Sequence, residues 1–330
     1  MSMDLPHVPS DEPVAARQVQ GTSRKAALEE RIRAEHRATL VVNTASRRGR
    51  RSYATAKHML CKRGIVLDAA YPVRDPARLP KIVEEAIAQG ARFVVVGGGD
   101  GTISAVVDHF AHRDVVLGLL PLGTANSFAR TLGIPLSLDA AVDVLVDGRV
   151  VDTDLGKIND DYFANAAAIG LPASIARNMP GALKRSLGRV GYLLVAVVRL
   201  CRHRPFRCRI VHEHDALSID SLEVRIANGR YQGGVLVARN ASVESRDLVI
   251  QIVKGISRWT IVGFWARALV GIAPRADTLQ IVRCAQATID TEPAQYVSID
   301  GEAATRTPIR ASVAREALLL MAPRERSDLQ

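Results

Sequence analysis

No run in this sequence approaches the roughly 20 consecutive apolar residues that a membrane-spanning helix needs, although 48% of its 330 residues are apolar. The longest candidate, Gly191 to Cys201, is short and is interrupted by Arg199. The opening MSMDLPHVPSDEPVAARQVQ mixes Asp, Glu and Pro without an apolar centre, so it reads as a disordered tail and not as a signal peptide, and a cytoplasmic protein is the expectation. Cysteine is sparse. Cys61, Cys201, Cys208 and Cys284 form no C-x-x-C pair, which excludes a disulfide framework and a zinc site of the usual spacing. Aromatic residues make up 4% and no nucleic-acid module is recognisable, so the formal charge of +10 does not point to nucleic acid. It does call for an anionic partner. Acidic residues are absent altogether from Arg177 to Arg209, a stretch that carries nine Lys or Arg.

What is present divides the chain in two. From Ala38 onward, short apolar runs alternate with helical patterns: ATLVVN, then RRSYATAKHMLCKRG; IVLDAAYPV, then ARLPKIVEEAIAQG; RFVVVGGG, then TISAVVDHFAH; VVLGLLPLG, then a helix from near Ala125. Strands apolar throughout and separated by helices predict a doubly wound parallel sheet covered on both faces. After Val150 the texture changes to short alternating strands, with helices near PGALKRSLGRVGYLLVAVVRLC and RWTIVGFWARALVG, which predicts an antiparallel β-sandwich. The expected boundaries are a disordered or helical tail over 1–37, an α/β domain over 38–153, a sandwich over 154–307, and C-terminal strands over 308–330 that return toward the first domain.

Two glycine-bearing loops follow the third and fourth strands of the first domain, at the strand ends where open α/β sheets collect ligands. In GGGDGTIS, Gly98, Gly99 and Gly101 lack the Cβ that would keep a ligand from the backbone, while Thr102 and Ser104 offer hydroxyls. In PLGTANSFAR, Gly123 and Thr124 repeat the device. Free N–H groups at the start of the following helices favour phosphate. Neither loop is G-x-x-x-x-G-K-[ST] or G-x-G-x-x-G, which argues against a P-loop ATPase and a standard dinucleotide fold. Asp100 is out of place among phosphate-binding amides unless it holds Mg²⁺, orients a nucleophile or accepts a proton.

These two motifs, with VVDTDLGKIN, YFANAAAIG, LGRVGYLLVAVVRL, ANGRYQGG and VSIDGE following in order, resemble the diacylglycerol kinase catalytic domain family of bacterial soluble lipid kinases, sphingosine kinases and ceramide kinases. The resemblance runs from about Ala38 to Pro323. It implies an NAD kinase-like α/β nucleotide-binding domain joined to a β-sandwich, with ATP in the cleft and a lipid hydroxyl as phosphoryl acceptor. By match, Asn43 and Thr44 border the nucleotide, Gly98 to Ser104 hold phosphates, Thr124 contacts the nucleotide and Asn126 supports the second loop. Asp300 and Glu302 match the family's catalytic carboxylates. Glu302 is expected to take the hydroxyl proton, while Asp100, Asp300 and Mg²⁺ offset charge, with Asp100 as a metal ligand.

Three departures stand out. Thr44 replaces the family's proline after the first strand, and Arg47, Arg48, Arg50 and Arg51 add charge beside it, facing ATP phosphates, lipid headgroups or solvent. Ser127 stands where the second loop commonly has Asp. In VARNASVESRDLVI, Arg239, Asn240, Ser245 and Arg246 replace residues of a structural Mg²⁺ network, which argues against that second metal unless Glu244 or Asp247 substitutes. The basic segment 177–209 is expected to lie on an anionic membrane surface, or else to be a solvated helix face. Trp259, Phe264 and Trp265 are expected in the core. A homodimer is left open. The competing functions are sphingoid-base, ceramide or NAD phosphorylation, and a lipid or nucleotide sensor without turnover.

Overall fold

Strands that are apolar on both sides must be covered on both sides, and the first half of the chain meets that demand. The computed structural model describes residues 14–178, 195–213, 215–228, 231–232, 235–236, 246–270, 272, 275 and 277–324. Its N-terminal elements are α1 (Val14–Glu35), β1 (Arg37–Asn43), α2 (Arg47–Lys62), β2 (Val66–Val73), α3 (Leu79–Ala88), β3 (Phe93–Gly98), α4 (Asp100–Ser104), β4 (Val116–Pro121), α5 (Ser127–Thr131) and α6 (Leu138–Asp147). β3 and β4 are buried at every position. The four strands run parallel in the order β2-β1-β3-β4. Val42 pairs with Gly97 and Gly98 with Pro121, so the carboxyl ends of β1, β3 and β4 finish side by side.

Local chemistry fixes the helices. Ser46 caps α2 by accepting the Gly49 N–H at 2.9 Å, and α3 buries Leu79, Val83 and Ala86 before the chain turns at Gly90, whose φ of +92° suits glycine. The helix expected over TISAVVDHFAH is shorter than its sequence suggests. α4 stops at Ser104 and a 3₁₀ turn follows at Val107–His109. Val106, Val107 and Phe110 are all fully buried, and tightening the turn sends two consecutive valines inward. Residues 14–35, grouped with the tail in the sequence, form α1. It packs Leu28 and Ile32 into the first core, and its Glu29 carboxylate accepts the Val150 N–H at 3.0 Å.

The second half comprises β5 (Arg149–Ile158), β6 (Asp161–Phe163), β7 (Ala166–Gly170), α7 (Leu171–Arg177), β8 (Phe206–His212), β9 (Asp215–Ala227), β10 (Tyr231–Gln232), β11 (Val235–Leu236), β12 (Leu248–Lys254), α8 (Arg258–Leu269), β13 (Leu279–Cys284), β14 (Gln286–Glu292), β15 (Tyr296–Ile299), β16 (Glu302–Arg306) and β17 (Ile309–Ala322). Period-two alternation places Phe206, Cys208 and Ile210 of β8 and Leu248, Ile250 and Ile252 of β12 in one interior cluster between the sandwich layers. β9 serves both layers, its first half pairing with β8 and its second with β7 and β12.

The segments IRAS and ALLLMAP are one strand. β17 pairs antiparallel with β14 in the sandwich and then parallel with β4, with antiparallel β5 alongside throughout. A register shift between Ala314 and Leu318, with Glu316 at φ +50°, bends it from one domain into the other. Among the described residues fifteen strands thereby share one continuous hydrogen-bonded network, which is the α/β domain and antiparallel sandwich expected.

Candidate active site

Three strand ends build the first wall of the site. Asn43 ends β1 and donates from Nδ2 to Thr102 Oγ1 at 2.9 Å, while its Oδ1 accepts the Ala45 N–H. The Thr44 N–H donates to Val73, and its Oγ1 is buried with no partner. Gly98 and Gly99 pass directly beneath the second loop. A Cβ on Gly123 would stand 2.4 Å from the Gly99 Cα, and one on Gly98 would stand 2.3 Å from Thr102 Oγ1. The loops therefore touch backbone to backbone, a distance that no other residue allows.

Asn126 staples the second loop. Held at φ +48°, it accepts the Gly123 N–H on Oδ1 at 2.9 Å and donates from Nδ2 to Gly123 and Pro121 carbonyls at 3.0 and 3.2 Å. Thr124 is exposed at the loop tip, Gly101 is exposed, and Ser104 is half-buried one turn into α4. Asp100 accepts the Phe128 N–H on Oδ1 at 3.1 Å, tying the first loop to the helix that follows the second. Arg48 donates to the Gly123 carbonyl at 3.2 Å and to Leu136 at 3.4 Å, so of the basic residues after β1 it is the one shown reaching the loops.

The opposite wall comes from the sandwich. β15 and β16 form a hairpin whose turn is Asp300 at φ +46° and Gly301 at φ +89°. Its carboxylate is not a solvated turn acid. Oδ1 accepts the N–H groups of Asn165 and Ala166, Oδ2 accepts that of Ala164, and its own N–H donates to Ala166. Burial pushes the Asp300 carboxyl up to about 6 against these hydrogen bonds, and the negative charge of Asp100 adds to the rise. The Asp100 charge, from the other domain, is the smallest of these influences on Asp300. Glu302 lies just past the turn, exposed at the start of β16.

Residues that motif reading passed over complete the surroundings. Asn165 and Asn228 adjoin across β7 and β9, and each has a buried Oδ1 without a donor. Asn228 Nδ2 donates to Asp154 and Ala164 carbonyls at 2.8 and 3.3 Å, which fixes its amide orientation. Asp154 is buried and accepts the N–H groups of Glu316 and Arg246 at 2.9 and 3.0 Å, joining the bend of β17 to residue 246. Desolvation raises its carboxyl above the ordinary range. The signal available in the sequence was the quoted VVDTDLGKIN, YFANAAAIG and ANGRYQGG segments, where polar residues interrupt apolar strands.

Of the altered segment, Arg239, Asn240, Glu244 and Ser245 lie outside the described residues, as do Lys184, Arg185 and Arg189 of the basic stretch. Among the described residues no three His, Cys, Asp or Glu side chains stand close enough to cage a metal. Cys208 and Cys284 are buried thiols, pushed up to about 12 and about 11 by desolvation, and are inert packing groups.

Two glycine loops in backbone contact thus stand at the strand ends of the α/β domain, and the half-buried Asp300 carboxylate is fixed by backbone N–H groups of the sandwich. Residues 37–158 match the diacylglycerol kinase catalytic domain, and residues 165–322 match the YegS C-terminal NAD kinase beta sandwich-like domain. The chain therefore carries a region similar to the diacylglycerol kinase catalytic domain followed by a region similar to the YegS-type sandwich. A Salmonella heidelberg protein named "Probable lipid kinase YegS" is 41% identical over 159 residues, covering 47% of this chain and 53% of that protein. An Escherichia fergusonii protein of the same name is 35% identical over 181 residues, covering 53% of this chain and 60% of its own. The chain thus spans little more than half the length of the curated relatives it matches. A crystal structure of a diacylglycerol kinase from Bacillus anthracis str. Sterne shares the fold at a TM-score of 0.72 and 23% identity, covering 87% of this chain and 97% of that one.

Proposed function

We propose that this protein is an ATP-dependent kinase that phosphorylates the hydroxyl of diacylglycerol or a related lipid alcohol. The observation that carries the reading is the backbone contact of the two glycine loops, with Asp100 tied to the helix after the second loop and Asp300 held by three N–H groups of the sandwich. Backbone-to-backbone loops suit a polyphosphate, and a fixed pair of carboxylates suits the charge handling that phosphoryl transfer demands.

In this reading Gly98 to Ser104 and Gly123 to Thr124 cradle the phosphates, Asn43 orients Thr102, and Arg48 stiffens the second loop from outside. A divalent ion bound with ATP would be held by Asp100 and Asp300 and would supply charge compensation for the phosphates. Two carboxylates suit an ion that arrives with the nucleotide, and among the described residues no group of three metal-ligating side chains forms a cage for a resident one. Glu302 accepts the acceptor's hydroxyl proton as that oxygen bonds to the γ-phosphorus and the bond to the bridging oxygen of ADP breaks. The unpaired amide oxygens of Asn165 and Asn228 are acceptors for a hydroxyl or an ordered water beside Asp300. The enzyme works at a membrane surface, where its acceptor resides.

The test is transfer of radiolabelled γ-phosphate from ATP·Mg to diacylglycerol, monoacylglycerol, sphingosine, ceramide and NAD in mixed micelles, beside Asp100→Asn. Label in one lipid that vanishes in the variant supports the reading. Nucleotide binding with no acceptor labelled turns the protein into a sensor.

A further inference from the structure

α8 is apolar on two faces. Its inner face buries Ile261 and Phe264 against Leu171, Leu222 and Val253. Trp265 beside them donates its indole N–H to Glu223 at 3.1 Å and stacks on the buried Arg225 guanidinium at 3.8 Å, so the helix is fixed on the sheet. The outer positions Trp259, Gly263, Ala266 and Val270 recur at helical spacing and are exposed, Trp259 at 73% and Val270 at 69%. Ile256, just before the helix, is 75% exposed. A helix face of this composition is normally covered. The core position expected for Trp259 is therefore corrected: α8 has a second apolar stripe that the fold itself does not use.

The rim of this stripe is cationic. Arg258 opens α8 and donates to the Cys201 carbonyl at 2.8 Å, which sets the end of helical residues 195–202 against it. Arg202, His203 and Arg204 line one cavity with Ile256 and Arg258, and Arg267 and Arg275 line another beneath Trp259. Val197 and Val198, about half exposed, extend the apolar area. Neither Val195–His212 nor Ile256–Arg275 contains an acidic residue.

We infer that this face docks on an anionic phospholipid bilayer, with Trp259 and Ile256 seated among the headgroups and acyl chains and the surrounding arginines bound to lipid phosphates. Charge decides the occupant. A second copy meeting the same face by two-fold symmetry would bring arginine against arginine, and neither of these two segments supplies a carboxylate, whereas an anionic bilayer satisfies the stripe and the rim together. Tryptophan and arginine are the side chains that anchor at membrane interfaces. The inference rests on the lipid-kinase reading for its purpose and gives that reading its site of action, yet it can be tested apart from it.

The chain has two tryptophans, so Trp265→Phe leaves Trp259 as the sole indole reporter. With phosphatidylcholine vesicles containing phosphatidylglycerol, its emission should shift to the blue and be quenched by brominated acyl chains, and phosphatidylcholine alone should give neither. In the otherwise native chain, Ile256→Ser with Trp259→Ser, and separately Arg202→Gln with Arg204→Gln, should each weaken sedimentation with anionic vesicles on the order of tenfold. Transfer to a short-chain diacylglycerol below its micellar concentration should be unchanged in these variants. Equal binding by all variants, or no preference for anionic vesicles, overturns the inference while leaving the kinase reading intact. An emission shift that depends on protein concentration without vesicles overturns it in favour of a self-association interface. Vesicle binding that the variants abolish, in a protein that labels no acceptor, leaves the docking face standing and removes the kinase reading.

Discussion

Asp100 and Asp300 come from different domains, and the chain fixes them by opposite means. Asp100 opens a short helix after a parallel strand and accepts one backbone N–H, from Phe128. Asp300 occupies a left-handed turn position, is drawn into the protein, and accepts three N–H groups in succession from Ala164 to Ala166. The first carboxylate is held by the loop it serves. The second is also a structural clamp between the β15–β16 hairpin and the start of β7, so in the proposed site chemistry and stability would be coupled on the sandwich side and nearly separate on the glycine-loop side.

The strongest way to break this comparison is to truncate both. Asp300→Ala leaves three donors without their acceptor and should cost about 3 kcal/mol of stability, at roughly 1 kcal/mol for each partly buried group. Asp100→Ala orphans one donor and should cost about 1 kcal/mol. Both should lower phosphoryl transfer by about 10²-fold or more, as expected on losing a preorganised charge at the reacting centre. Urea unfolding of the two variants decides. Equal losses would show that the three hydrogen bonds at Asp300 carry no more weight than one.

A smaller effect separates glycines that the fold needs from glycines that a ligand needs. Gly123→Ala drives a Cβ onto the Gly99 backbone, so the loops must part, at a cost of about 1–3 kcal/mol with nucleotide affinity falling alongside. A Cβ on Gly101 meets nothing within 4 Å in the protein. Gly101→Ala should therefore leave unfolding unchanged and weaken ATP binding about tenfold, on the order of one lost hydrogen bond to a charged group. Calorimetric titration with ATP beside thermal unfolding reads both, and unchanged affinity in Gly101→Ala would move the phosphates away from the first loop.

The α/β domain was legible because a parallel sheet writes itself as unbroken apolar strands, and Val94 to Gly98 and Val116 to Pro121 are buried at every position. The sandwich was legible as alternation, but the bend of β17 was not: Glu316 at φ +50° has no glycine to announce it, and its N–H is held instead by Asp154, distant in sequence. The glycine loops and the Asp-Gly-Glu turn could be located from motifs alone. Their mutual approach could not, since it depends on which strands pair. Trp259 was misjudged for a related reason. Helical spacing says that Ile261, Phe264 and Trp265 share a face, yet it cannot say that the sheet covers that face and leaves the other bare.

The most delicate test of the two-aspartate comparison is in its pH dependence. Asp300 is raised from 3.8 to about 6, first by desolvation and in smaller part by Asp100. The folded state therefore holds this proton more tightly than the unfolded chain, so its contribution to stability is complete below the unfolded value and is lost as pH rises through about 6. Transfer activity should move the other way, kcat/KM rising across the same window as the carboxylate ionises. Thermal unfolding against pH isolates the group by the difference between the native protein and Asp300→Asn, in which the inflection should disappear. In Asp100→Asn the inflection should persist but shift to lower pH by a fraction of a unit, because the charge that opposed ionisation is gone. An inflection that stays in place would mean that the two carboxylates do not interact across the cleft, and the reading of the site as one charge-handling pair would fall with it.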